Sequence, residues 1–283
     1  MLRGETTKRT ELDPDRLVAK LQVHGVERLR GEPTIWVVLD GSNLRKPHAE
    51  RMECLQQVKR LDRQGTVPGY PTLNVLGLGK ERRGLLYHTT YSSAAPAFLS
   101  EPAEVRAAIR SVGAALKPLS AEVTAILDSG FDDQAVWGEV WDQGWHLVCR
   151  LKHRDRLVRP VPAAPACHLA ALAPRLRPLA RVEAEMVVQK VGQPRPKLQP
   201  TTATVAAVPL VVTARRHTPA GEVERERGCW LVEVRWAHVK AEPWWLITDR
   251  PVETADQAAE IFRMSCQRWA IEEAFKVAKQ CLG

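Results

Sequence analysis

The chain has 283 residues, of which 45% are hydrophobic and 26% charged, with a formal net charge of +8. That is the balance of a globular protein with room for one large domain or two ordinary ones. No apolar run reaches membrane-spanning length, and the six cysteines show neither Cys-x-x-Cys pairs nor Cys/His zinc spacing, which argues against a helical membrane protein, a zinc module and a disulfide scaffold. With scattered thiols and no apolar stretch after Met1, the expectation is a cytoplasmic protein without a signal peptide.

Residues 1–12 are polar. Asp13-Pro14 then reads as an N-cap with proline at the first helical position, and Leu17, Val18, Leu21 and Val23 predict a short helix that stops near Gly25. The β-branched and apolar run Thr34–Leu39 predicts a buried strand. Met52, Leu55, Val58 and Leu61 fall at every third position and predict a helix over 51–63. Thr72–Leu78 and Gly84–Tyr91, separated by polar Gly79-Lys80-Glu81-Arg82-Arg83, predict a hairpin. Ala103–Leu116 reads as an amphipathic helix after Ser100-Glu101-Pro102. A strand at Val123–Leu127, a helix at Asp133–Gln143 and a strand at His146–Leu151 follow.

Between Arg159 and Pro200 the chain holds eight prolines, too many for helices or central strands. Thr204–Thr213 and Gly228–Lys240 look like strands again. Trp244–Thr248 reads as the last core strand. Thr254-x-x-Gln257 is a capping box opening a long helix that should run to about Gln280. The fold class is therefore α/β. A short N-terminal helical segment (1–33) precedes a mixed-sheet core (34–154 and 241–283), which is interrupted by a β-rich basic insertion (155–240).

The charge is concentrated in that insertion. From Arg150 to Arg216 there are thirteen Lys and Arg against Asp155, Glu183 and Glu185, which leaves the rest of the chain near −2. Such a segment is expected to face phosphates, with Arg154, Arg156, Arg159, Arg215 and Arg216 as candidate contacts. The alternative is a solvated arginine-rich face.

Three carboxylates stand out. Asp40 follows the run Thr34–Leu39 and precedes Gly41-Ser42-Asn43; Asp128 follows Val123–Leu127 and precedes Ser129-Gly130. A carboxylate just past a buried strand lies at the sheet edge where α/β proteins place their sites, and small residues after it let the backbone turn. Glu272 sits in the predicted final helix, where Arg268, Glu272, Phe275 and Lys279 share a stripe about 60° wide. Two strand-end aspartates and a helical glutamate can hold two divalent cations and run phosphodiester chemistry. Asp249, which follows a strand too, is the main rival and is read as a turn residue. Asp132-Asp133 is read as a helix cap. Trp230, Trp236, Trp244 and Trp245 are read mostly as core.

On these residues the chain resembles the DDE transposases of bacterial insertion sequences, in the group whose glutamate helix carries Tyr-x2-Arg-x3-Glu-x6-Lys. Arg268, Glu272 and Lys279 match that spacing, with Ser265 at the tyrosine position. Leu39-Asp40-Gly41-Ser42 matches the first-aspartate strand. Ile126-Leu127-Asp128-Ser129-Gly130-Phe131 resembles the second-aspartate motif, with Ser129 where arginine is usual, and Leu246–Val252 resembles the strand before the glutamate helix. The resemblance covers residues 34 to 283.

It implies an RNase H-like core with a β-rich insertion before the final catalytic helix, and two Mg²⁺ or Mn²⁺ ions held by Asp40, Asp128 and Glu272. It implies phosphate contacts from Arg268 and Lys279, and cleavage followed by 3′-OH strand transfer on double-stranded DNA at element ends and in the target. It allows a homodimer in the DNA complex. Family members usually extend past the glutamate helix, so the chain is expected to be truncated and weak or inactive alone. The alternative is a DNA-binding remnant that does not turn over.

Overall fold

The computed structural model describes residues 14–60, 64–188, 197–218, 221–237 and 242–271. Helix α1 (Pro14–Arg28) leads into strand β1 (Thr34–Arg45), then β2 (Gln56–Lys59), β3 (Thr66–Leu78) and β4 (Arg83–Thr90). Helix α2 (Glu101–Leu116), strand β5 (Glu122–Leu127), helix α3 (Gln134–Asp142) and strand β6 (His146–Arg150) follow. The short β7 (Leu157–Val158) and β8 (Cys167–His168) pair with each other as a two-stranded sheet. Then come β9 (Arg177–Val188), β10 (Lys197–Thr218), β11 (Gly221–Trp236), β12 (Trp244–Thr248) and helix α4 (Ala255–Cys266).

One ten-stranded mixed sheet organises the protein, in the order β2-β3-β1-β5-β6-β12-β11-β10-β9, with β4 also on β3. β1 is antiparallel to β3 and parallel to β5, and β5 is parallel to β6. The fold is thus mixed α/β. The stretch 155–240 does not stand apart in space: β11 pairs with β12, and β10 and β9 extend the same sheet outward. Among the described residues no helix is long and apolar enough to cross a membrane.

The sheet is buried on both faces, so its central strands read as continuous apolar runs rather than alternating ones. Val37, Leu39, Ala125, Leu127, Leu147 and Cys149 face α2 and α3, which contribute Val105, Ile109, Val112, Val136, Trp137 and Val140. The residues between them, Val38, Ile126, Val148 and Leu246, face α4 through Ala258, Ile261 and Phe262. Local signals start the helices. Ser100 accepts from Ala103 N ahead of α2, Asp133 accepts from Ala135 N and Val136 N ahead of α3, and Thr254 and Gln257 form the reciprocal capping box of α4.

Five expectations differ from what is found. Residues 51–55 are turns and 56–59 form the edge strand β2, where Val58 pairs with Val67, instead of a helix over 51–63; Cys54 takes a φ of 51°, which breaks helical geometry, and Leu61 lies outside the described residues. Helix α1 runs past Gly25 to Arg28. Gly25 is a close-approach position, since a Cβ there would stand 2.0 Å from the Leu85 carbonyl oxygen. Leu17, Leu21 and Val23, the expected apolar stripe, are exposed, and Leu29 is what enters the core.

β1 does not turn after Asp40. It stays paired with β3 from Trp36↔Leu78 to Arg45↔Gly69. The final helix is not continuous either. α4 ends at Cys266, Gln267 and Arg268 form a turn, and helix resumes at Trp269–Ile271. Ser265 Oγ donates to the Phe262 carbonyl at 2.7 Å, and back-bonding of this kind bends helices.

Candidate active site

The site begins with one row across three parallel strands. Val38 on β1 pairs in register with Ile126 on β5, and Ile126 with Val148 on β6. Each strand is apolar through this row and the residue after it, and each has a charged residue two positions past the row: Asp40, Asp128 and Arg150. Side chains two apart share a face, so all three belong to the α4 side of the sheet. Adjacent strands lie about 4.8 Å apart, which brings these groups side by side at the sheet's C-terminal edge. Asp40 and Asp128 line one open cleft of about 470 Å³, together with Ser42, Asn43, Tyr91, Glu101 and Phe131.

Asp128 is fixed by its own loop. It caps the tight turn Ser129–Phe131, with Oδ1 accepting from Ser129 N at 2.7 Å and its carbonyl accepting from Phe131 N at 2.9 Å. Phe131 is buried in the core and anchors the loop. Behind it the buried Cys149 thiol faces the carbonyls of Asp128 and Phe131. Burial pushes that thiol well above its ordinary pKa, so it stays protonated and serves as a structural donor. The Asp128 side chain keeps 30% of its surface exposed, and its Oδ2 lies 3.6 Å from Arg268 Nη1.

Asp40 sits directly across from Asn74 on β3. Asn74 is buried, and its Oδ1 lies 2.6 Å from His88 Nδ1 on β4, with which it pairs. Because an amide oxygen can only accept, His88 Nδ1 carries the proton. Burial lowers the His88 pKa, so the ring is neutral at pH 7. A polar row Asp40–Asn74–His88 therefore crosses three strands.

Arg268 and Arg150 converge on Asp128. Arg268 stacks its guanidinium 4.9 Å from the Trp269 ring centroid, and Arg150 lies 4.8 Å from that of Trp244. Burial lowers the Arg150 pKa; the Asp128 carboxylate opposes that shift and Arg268 reinforces it. Arg150 is not among the residues expected from the sequence, although it ends the run His146-Leu147-Val148-Cys149 in the way Asp40 and Asp128 end theirs. Trp269 itself is half exposed.

Glu272 and Lys279 lie outside the described residues, and so does the stripe they would form with Arg268. The structure brings the chain to Ile271, which packs on the α4 face of the sheet with Val38 and Ile126. Among the described residues no three His, Cys, Asp or Glu side chains form a metal-sized group.

The rival Asp249 is elsewhere. β12 runs antiparallel to β6, with Thr248 opposite Val148, so Asp249 lies near the start of β6 and Asp128 level with its end. Its side chain, 1% exposed, accepts from Leu147 N at 2.8 Å and from Arg227 Nη2 at 2.6 Å. These bonds give it a structural role. Asp133 is the cap expected, whereas Asp132 is engaged differently. It accepts from Lys152 N and His153 N and pairs with Arg156.

The basic segment is more neutralised than its composition implies. Arg154 pairs with Glu242 at 3.3 Å, Arg156 with Asp132, Arg159 with Glu226, and Arg215 with Glu224 at 3.6 Å. Arg216 is in β10, opposite Val223. Trp236 and Trp245 are buried. Trp236 packs edge-on to Trp244 and Phe262, and Trp245 Nε1 donates to Glu233 Oε2 at 3.0 Å.

Comparison with protein families finds none that matches this sequence, and comparison with curated proteins finds no match.

Proposed function

We propose that the chain is a metal-dependent DNA transposase of the DDE type, built on an RNase H-like core, which cleaves a strand at an element end and transfers its 3′-OH to target DNA. The observation that carries this reading is the placement of Asp40 and Asp128. They stand on adjacent parallel strands, both two residues past one register row, and they line the same cleft. The strand order is compatible with such a core: an antiparallel meander β1-β3-β4 is flanked by the parallel strands β5 and β6, with α2 and α3 leading into them.

Carboxylates on rigid strands offer the hard oxygen donors that Mg²⁺ and Mn²⁺ prefer. Asp40 and Asp128, with Glu272 just beyond Ile271, would hold two such ions. When bound, such ions would supply activation of the attacking oxygen and stabilisation of the leaving one. The protein's own part is positioning and charge. The Ser129 amide holds Asp128 in one rotamer through Oδ1. Arg150 and Arg268 place two guanidinium groups beside the cleft, where they can hold phosphate oxygens of the substrate strand.

A second reading, a DNA-binding remnant without turnover, is favoured by one observation: Arg268 already lies 3.6 Å from Asp128, so a cation competes with metal for that carboxylate. The test is incubation with labelled duplex DNA carrying the element's ends, in Mn²⁺ and in EDTA, with Asp40→Asn and Asp128→Asn alongside. Metal-dependent nicks that fall about 10³-fold in both variants support the transposase, since losing a ligand removes several kcal/mol of transition-state stabilisation. Binding without nicks in Mn²⁺ supports the remnant. Nicks that ignore metal or both substitutions would overturn the proposal.

A further inference from the structure

A second cleft, of about 400 Å³, opens beside the first at the same sheet edge. The two share their walls in sequence: Glu101 and Phe131 line the first, while Ser100, Pro102 and Asp132 line the second. Three arginines from three different elements also line it: Arg106 from α2, Arg156 from the turn after β6, and Arg215 from β10. Its two carboxylates are already used. Asp132 takes Arg156 and two backbone amides, and Asp133 caps α3.

The guanidinium groups are not all satisfied. The Nε atoms of Arg106 and Arg156 are both shielded from solvent, and neither has a hydrogen-bond partner among the described residues. Arg156 is held against the Trp137 ring at 4.4 Å, which fixes its plane. Among the described residues Arg215, half exposed, is paired through the long contact to Glu224 at 3.6 Å. Sheltered cationic donors without acceptors are costly, and a planar fork of N–H groups suits a phosphate.

We infer that this three-arginine cleft binds a backbone phosphate of DNA next to the one over Asp40 and Asp128. The inference rests on the proposed function for its choice of polyanion: a strand lying across the carboxylates must carry its neighbouring phosphates along the shared wall. Arg106 is the informative residue, because among the described residues its Nε has no acceptor that would give it a purely structural role.

The test is the salt dependence of binding of the full chain to a short labelled duplex, measured in EDTA so that catalysis plays no part. Arg106→Gln should lower the slope of log K against log salt by about 0.9, the value of one phosphate contact on duplex DNA. Arg215→Gln should do the same independently, and Arg106→Lys should keep the slope. Arg82→Gln removes an equal charge from the β3–β4 turn, at the far end of the sheet, and should leave the slope unchanged. Equal slopes for Arg106→Gln and wild type, or an equal fall in Arg82→Gln, would overturn the inference. Binding of inorganic phosphate that is lost in Arg106→Gln while the DNA slope is unchanged would overturn it too, by assigning the cleft to a free anion. If the slope falls as expected while Asp40→Asn leaves nicking intact, the cleft stands and the transposase reading fails.

Discussion

Replacing Asp132 by alanine tests how the two clefts are held in shape. The Asp132 side chain is 1% exposed and its partner Arg156 11% exposed. Its Oδ2 also accepts from Lys152 N at 2.8 Å and His153 N at 2.9 Å. The substitution therefore strands a mostly buried guanidinium and leaves two amides without their acceptor. Breaking a buried ion pair from one side costs about 3–5 kcal/mol, and each amide left unsatisfied adds about 1 kcal/mol or more where water cannot reach it. A loss of at least about 4 kcal/mol is expected, a large share of the stability of an ordinary domain. Urea denaturation followed by tryptophan fluorescence measures it, since Trp137 lies under Arg156. The double variant Asp132→Ala/Arg156→Met should recover about 1–3 kcal/mol of the loss, because the stranded charge is gone. A loss below about 1 kcal/mol, or a double variant no more stable than the single, would refute the claim that Asp132 holds this corner by neutralising Arg156.

Two further outcomes follow from packing and from titration. A Cβ at Gly138 would stand 2.3 Å from the Arg215 carbonyl oxygen, so Gly138→Ala should force α3 away from β10 and cost about 1–3 kcal/mol in a thermal or urea melt; an unchanged midpoint would show that the contact yields freely. Glu122 is held below its ordinary pKa first by the hydrogen bond from Arg250, with burial opposing it. A depressed folded-state pKa means stability that is present above the unfolded-state pKa and lost as pH falls through the folded value. Arg250→Gln should therefore flatten the acid limb of a stability–pH curve, and an acid limb identical to wild type would show that the pair contributes nothing.

Much of the core was legible along the chain because the signals are local. Buried strands show as apolar runs, and the helices α2, α3 and α4 announce themselves by Ser100, Asp133 and Thr254, whose side chains cap within three residues. Sequence patterning misleads where a non-local partner decides. Residues 51–63 carry apolar side chains at every third position, yet Gln56–Lys59 is claimed by the edge of β3. Gly25 looks like a stop in sequence but permits the close approach of β4. Gly41-Ser42-Asn43 looks like a turn but is held straight by pairing with β3.

The same division holds for the site. That Asp40 and Asp128 each end a buried run is a property of their own segments, and so is the alternation that aims them at one face. That they are neighbours is not: it depends on β5 docking parallel to β1, 88 positions along the chain, in the register Val38↔Ile126. Arg150 entered the site only because β6 docks in turn on β5 with Ile126↔Val148. The fate of the arginines was equally hidden. Arg154, Arg156, Arg159 and Arg215 look alike as charges in a sequence, whereas Glu242, Asp132, Glu226 and Glu224 find them only in the fold. Local periodicity and capping act over a few residues and are written in the chain itself; strand register and charge pairing arise between distant segments, and only tertiary packing decides them.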